Sequence, residues 1–198
     1  MVDDNEWRVQ NPMYTLLSTE DWEGTAFRLT LEPEQACEWQ YGIEMDACNE
    51  PQLWKQLPIH HACRFGAPVG LISLLHEGYP KGIKSRDPYT GTLALHHACR
   101  YKASRSVIEA LVHHYPSGTK VKNHAGHLPL HLACMYNTSM EVIHFLVKVY
   151  PGSICECDNK GLTPLDYAKK EMTLENETVN LLERLSEFMI RINNRQNS

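Results

Sequence analysis

The sequence predicts an all-α repeat solenoid of stacked antiparallel helix pairs, and three observations carry that expectation. LPIHHAC at 57–63 recurs as LALHHAC at 93–99 and LPLHLAC at 128–134, with LTPLDYA at 162–168 as a degenerate fourth copy. The spacing of 36 and then 35 residues is that of a supersecondary unit stacked on copies of itself. Each copy is followed by a second apolar segment, Leu71, Ile72 and Leu75, then Val107, Ile108 and Leu111, then Val142, Ile143 and Leu146, each forming one stripe of a helix. Finally, Pro80, Pro116 and Pro151 follow Tyr79, Tyr115 and Tyr150. Proline lacks the amide hydrogen that a continuing helix needs, so each second helix stops there.

The remaining elements follow in order. Gly91, Gly126 and Gly161 recur at intervals of 35, behind Asp87, Asn123 and Asp158, and such pairs make turns. Each unit therefore reads turn, helix, helix, loop, and the whole chain, 1–198, reads as one domain. Repeats are placed at 57–91, 92–126 and 127–161. Terminal units of a solenoid must shield the last apolar face from water, so the ends should be atypical. Pro12 opens MYTLL, and Glu20 to Leu31 carries Trp22, Ala26, Phe27 and Leu29 before Pro33. These segments predict an N-terminal capping helix pair over 12–43. Residues 162–192 are expected to form a degenerate repeat and a C-terminal capping helix, its apolar stripe being Leu181, Leu182, Leu185, Phe188, Met189 and Ile192. The polar, proline-containing stretch at 44–56 is expected to be a surface insertion.

The motif D-x-x-G-x-T-P-L-D-x-A at 158–168, with looser forms at 123–133 and 87–98, resembles the ankyrin repeat, and the resemblance covers about residues 57–170. It implies stacked helix pairs with turn tips projecting at right angles, and a concave face made of tips and first helices. It also implies that His60, His96 and His131 hydrogen-bond the neighbouring turn. The usual period is 33 residues; the extra ones here lie in the YPxG connection and in the longer Asp87 to Gly91 turn. The positions that such arrays present to partners are held here by Arg64, Phe65, Arg100, Tyr101, Met135 and Tyr136 on first helices, and by Tyr89, His124, His127, Asn159 and Lys160 at the tips. Tyr and Arg offer large contact area and fixed donors for little lost freedom. Phe65, Tyr101 and Tyr136 could equally stack on one another to stiffen the array, and Tyr79, Tyr115 and Tyr150 read as packing.

Residues able to do chemistry compete with this reading. Histidine and cysteine recur three residues apart, as in His60 and Cys63, His96 and Cys99, His131 and Cys134. Zinc, however, needs about four ligands within roughly 2.0–2.3 Å, whereas neighbouring helices lie about 8–10 Å apart. Cys155 and Cys157 form the other soft-metal or redox candidate, but the acids beside them raise thiol pKa values. Catalytic templates are absent from the sequence, with no G-x-S-x-G, no H-E-x-x-H and no glycine-rich phosphate loop. The expectation is a non-enzymatic module that binds an unidentified protein partner, with no cofactor. The alternatives are a small metal-binding or redox-sensing protein using Cys155 and Cys157, or a structural module in an oligomer.

Composition bounds the rest. The chain has 198 residues, 19 Lys and Arg against 24 Asp and Glu, and a net charge of -5, which disfavours nucleic acid and anionic membrane as general partners. Its acidic, polar start and seven Cys without a disulfide framework predict an intracellular protein, cytoplasmic or nuclear, and a monomer on its own.

Overall fold

The computed structural model describes residues 12–38, 40–45, 51–170 and 176–196. It opens with a helix pair, α1 (Pro12–Ser18) and α2 (Trp22–Leu31), followed by a 3-10 turn at Pro33–Cys37. Asp21 caps α2, its carboxylate accepting the Gly24 amide at 2.9 Å, which satisfies one of the donors a helix start leaves open. Three regular helix pairs follow: α3 (Pro58–Arg64) with α4 (Val69–Gly78), α5 (Ala94–Arg100) with α6 (Arg105–His114), and α7 (Pro129–Met135) with α8 (Met140–Val149). Short α9 (Pro164–Lys170) and long α10 (Asn176–Gln196) close the array.

The second helices end where proline requires. Tyr79, Tyr115 and Tyr150 are the C-caps of α4, α6 and α8. In the second and third repeats the proline then opens a 3-10 turn, at Pro116–Lys120 and Pro151–Cys155. The tyrosine ring folds back over the glycine of this YPxG connection: a Cβ on Gly118 would stand 3.0 Å from Tyr115 Cδ1. Packing explains this tyrosine series.

First helices stack on first helices, and α4 packs on α6 and α6 on α8. Ile72, Ile108 and Ile143 are fully buried in one continuous core with Leu75, Leu111 and Leu146. A seven-residue first helix cannot hold itself together in water. Its stability comes from apolar surface buried against the copies before and after it, at about 25 cal/mol per Å².

Three departures from the sequence reading stand out. Residues 40–45 (β1) and 51–56 (β2) pair antiparallel, Gln40 opposite Gln56 and Met45 opposite Pro51, so the array carries one two-stranded ribbon. It straddles the expected boundary between the cap at 12–43 and the insertion at 44–56. Phe27, one of the apolar residues that predict the N-terminal cap, is 66% exposed, while Trp22 and Ala26 pack on the core and Leu29 is buried. On α10, Leu182 is buried and Leu185 packs against the core, but Phe188 is 59% exposed. Phe188 therefore projects beyond the face that the stripe was expected to cover. The side chains of Met189 and Ile192 lie outside the described residues.

Candidate protein-interaction face

A repeated histidine device aligns the repeats. His60, His96 and His131 are fully buried. Each Nδ1 accepts the backbone N–H of the residue before its helix, Leu57, Leu93 or Leu128, at 3.0, 3.1 and 3.1 Å. The imidazole thus does for the helix start what glutamate does in a capping box. Each Nε2 lies 3.0–3.2 Å from a carbonyl of the next connection, that of Ser85, His127 or Leu162. An amide only donates and a carbonyl only accepts, so both partners demand the neutral imidazole with its proton on Nε2. Burial lowers all three pKa values to about 4. With the Nδ1 lone pair committed to an amide, these side chains have nothing left for a metal. Cys63, Cys99 and Cys134 are buried and their thiols pushed far up by desolvation, as befits inert packing. Among the described residues no three His, Cys, Asp or Glu converge as a metal site requires. Cys155 and Cys157 are exposed, and the Cys155 thiol is raised by partial burial, then by Cys157 and Glu156.

The fourth copy shows what the device is for. Where the others have histidine, α9 has Asp166, whose carboxylate accepts the Thr163 amide at 2.8 Å while the Asp166 amide donates to Thr163 Oγ1 at 3.3 Å. Aspartate keeps the capping half of the function and drops the reach to a following repeat.

The tips are tied to one another as well. Gly91, Gly126 and Gly161 have φ of 68°, 81° and 77°, a region open chiefly to glycine. Asp87 Oδ1 accepts the Tyr89 and Thr90 amides at 2.8 and 3.2 Å, and Asp158 Oδ1 the Lys160 and Leu162 amides at 2.8 and 2.9 Å. Between tips, the His124 amide donates to Thr90 O at 2.9 Å, and His124 Nδ1 lies 3.0 Å from Tyr89 O. The Asn159 amide donates to Ala125 O at 3.2 Å and Asn159 Nδ2 to His124 O at 2.9 Å. His127 is 14% exposed; its Nε2 lies 3.1 Å from Asp158 Oδ2, which also accepts the Tyr167 hydroxyl at 2.6 Å. Burial alone would raise the Asp158 carboxyl, but these bonds hold it down to about 2. His124, His127 and Asn159 thus spend polar atoms inside the array, whereas Tyr89, 52% exposed, and Lys160 face outward.

At the other end of the first helices the structure brings the remaining singled-out residues together. The Arg64 guanidinium lies 5.6 Å from the Phe65 ring centre and 5.3 Å from that of Tyr101; Arg100 lies 5.5 Å from Tyr101 and 5.3 Å from Tyr136. Guanidinium groups therefore alternate with rings, at cation–π distance. Among the described residues no ring pair joins Phe65, Tyr101 and Tyr136 directly; in place of the ring-on-ring stacking that the sequence left open, arginine stands between rings. Met135, half-buried, ends the arginine series. Beneath lie two rings that the sequence did not assign to this face: buried His97, stacked on Tyr101 at 6.1 Å and 3°, and buried His61, stacked on Phe65 at 6.0 Å. Their signal was the doubled histidine of HHAC in the first two repeats, replaced by Leu132 in the third.

Stacked helix pairs, glycine tips and imidazole cross-links define a class of repeat protein, and the family comparison agrees with it. The family model described as ankyrin repeats (3 copies) matches residues 104–194, so the chain carries ankyrin repeats over that span. The first copies, at 57–63 and 93–99, precede the matched span but share its geometry. Ankyrin repeats are in general protein–protein interaction modules and typically non-enzymatic. No curated protein matches the chain. No helix among the described residues is long and apolar enough to cross a membrane.

Proposed function

We propose that this chain is a non-enzymatic adaptor that binds a protein partner along the face of its tips and first helices, with Arg64, Phe65, Arg100, Tyr101, Met135 and Tyr136 as the contact strip and Tyr89 and Lys160 at the tips. One observation carries the reading. The exposed Arg100 guanidinium is held between two rings yet makes no hydrogen bond or ion pair among the described residues. A cation fixed in place with unspent donors is what an interface anchor requires. His60, His96, His131, Cys63, Cys99 and Cys134 are consumed by the framework, which favours binding over catalysis.

The test is capture of partners from native cell extract by the wild-type chain and by the Phe65→Ala, Tyr101→Ala, Tyr136→Ala triple variant. At about 1–2 kcal/mol per anchor, capture should fall by several orders of magnitude while the variant still unfolds cooperatively. Undiminished capture by a folded triple variant would assign the partner to another surface.

A further inference from the structure

We infer that the segment this face takes is acidic: an extended stretch of a partner protein whose carboxylates meet the guanidinium of Arg100 and the cations in line with it. The inference rests on the protein-binding reading above and adds the chemistry of the partner. The whole-chain charge of -5 hides a division. Residues 57–170 hold 13 Lys and Arg against 7 Asp and Glu, whereas the flanks hold 6 against 17. The array is +6 and its flanks are -11.

Within the array the sides differ too. First helices and tips, with the residues beside them, carry Arg64, Arg86, Arg100, Lys102, Lys122 and Lys160, whereas Lys84 and Lys120 lie over the Tyr115 and Tyr150 rings at the second-helix ends. The acids on the side of the first helices and tips are Asp87, Glu156 and Asp158 alone. Asp87 and Asp158 are buried under turn amides, and Glu156 is closed by Lys122 at 2.8 Å. Arg100 and Lys160 thus stand exposed on this face without a carboxylate partner among the described residues. A guanidinium lying over a ring keeps its N–H edge available for a two-pronged bond to a carboxylate.

The same features disfavour single-stranded nucleic acid. Bases would need free ring faces on which to stack, but Tyr101 already meets Arg64, Arg100 and His97. Flanks of -11 would also repel a long polyanion running past the array.

Random twelve-residue peptides displayed on phage and selected on the full chain test this without a known partner, and such peptides carry no phosphate. Enriched sequences should show an excess of Asp and Glu over Lys and Arg. A fluorescein-labelled winner should bind Arg100→Glu at least about tenfold more weakly, with Arg100→Lys falling between that variant and the wild type because an ammonium keeps the charge but not the two-pronged bond. Lys160→Glu, at an exposed tip, provides a second variant with little risk to folding. Winners without acidic excess, lost on the triple aromatic variant but not on Arg100→Glu, would overturn this inference and leave the protein-binding reading intact. Failure to enrich any peptide would count against both. A labelled twelve-nucleotide oligouridylate that outcompetes the peptides would assign the face to nucleic acid. Salt-sensitive self-association abolished by Arg100→Glu would assign it to the acidic flank of a second copy. Either result overturns the proposal.

Discussion

A Cβ placed on Gly126 would stand 2.4 Å from Asn159 Oδ1 and 2.6 Å from the Asn159 backbone nitrogen, so each tip leans on the glycine of the tip before it. Gly161, at the last tip, has the same left-handed φ but nothing within 4 Å. The two positions separate conformational strain from steric conflict. Gly161→Ala should cost about 1–2 kcal/mol through backbone conformation alone. Gly126→Ala should cost about 1–3 kcal/mol more, because backbone has to move. Urea unfolding of the two variants measures the difference, and equal losses would mean that the tips do not bear on one another.

Stability should depend on pH through the repeat histidines. The folded values of His60, His96 and His131 are about 4, below the ordinary 6.5. Between those values the unfolded chain binds more protons, so stability is full above about 6.5 and is lost as pH falls toward 4. Each imidazole contributes about 3 kcal/mol at most. Two or three such losses are comparable with the whole stability of a domain. Melting temperature should decline steadily from pH 7 to 4.5, and a flat profile would show the histidines to be solvated.

Tyr167 and Asp158 give a separate test at the C-terminal end. Tyr167→Phe removes a hydroxyl donated to a buried carboxylate at 2.6 Å, at an expected cost of about 1.5–3 kcal/mol. It should also raise the Asp158 carboxyl from about 2 toward the ordinary range. The acid transition below pH 4 should then begin at higher pH in the variant, as an acid titration followed by circular dichroism would reveal.

Leu111 is 1% exposed, whereas Phe27 is 66% exposed. Leu111→Ala should cost about 2–5 kcal/mol through the cavity it leaves, and Phe27→Ser should change stability by no more than about 0.5 kcal/mol. Thermal unfolding of both variants checks the burial pattern. A large loss for Phe27→Ser would mean that the ring is covered in solution.

Much of the architecture was legible because it is local and periodic. The LxxHxAC copies, the Tyr-Pro stops and the Gly tips announce units, helix ends and turns by chemistry that acts within a few residues. The reach of His96 to the His127 carbonyl followed from the family resemblance and agrees with the observed 3.1 Å. The pairing of Gln40–Met45 with Pro51–Gln56 was missed because neither strand alternates clearly, and a strand's hydrogen bonds lie on its partner. The basic array was present in the letters but averaged away by acidic flanks.

The sequence by itself determined the repeat, its period, the stops of its second helices and its stacked order, because backbone propensity and apolar spacing act along the chain. Only the tertiary structure decided that arginines stand between the rings of Phe65, Tyr101 and Tyr136, that His124 and Asn159 serve neighbouring tips, and that Phe27 and Phe188 face outward. Each of those outcomes depends on which side chains meet across repeats about 35 residues apart, and such distances in space are set by packing rather than by position along the chain.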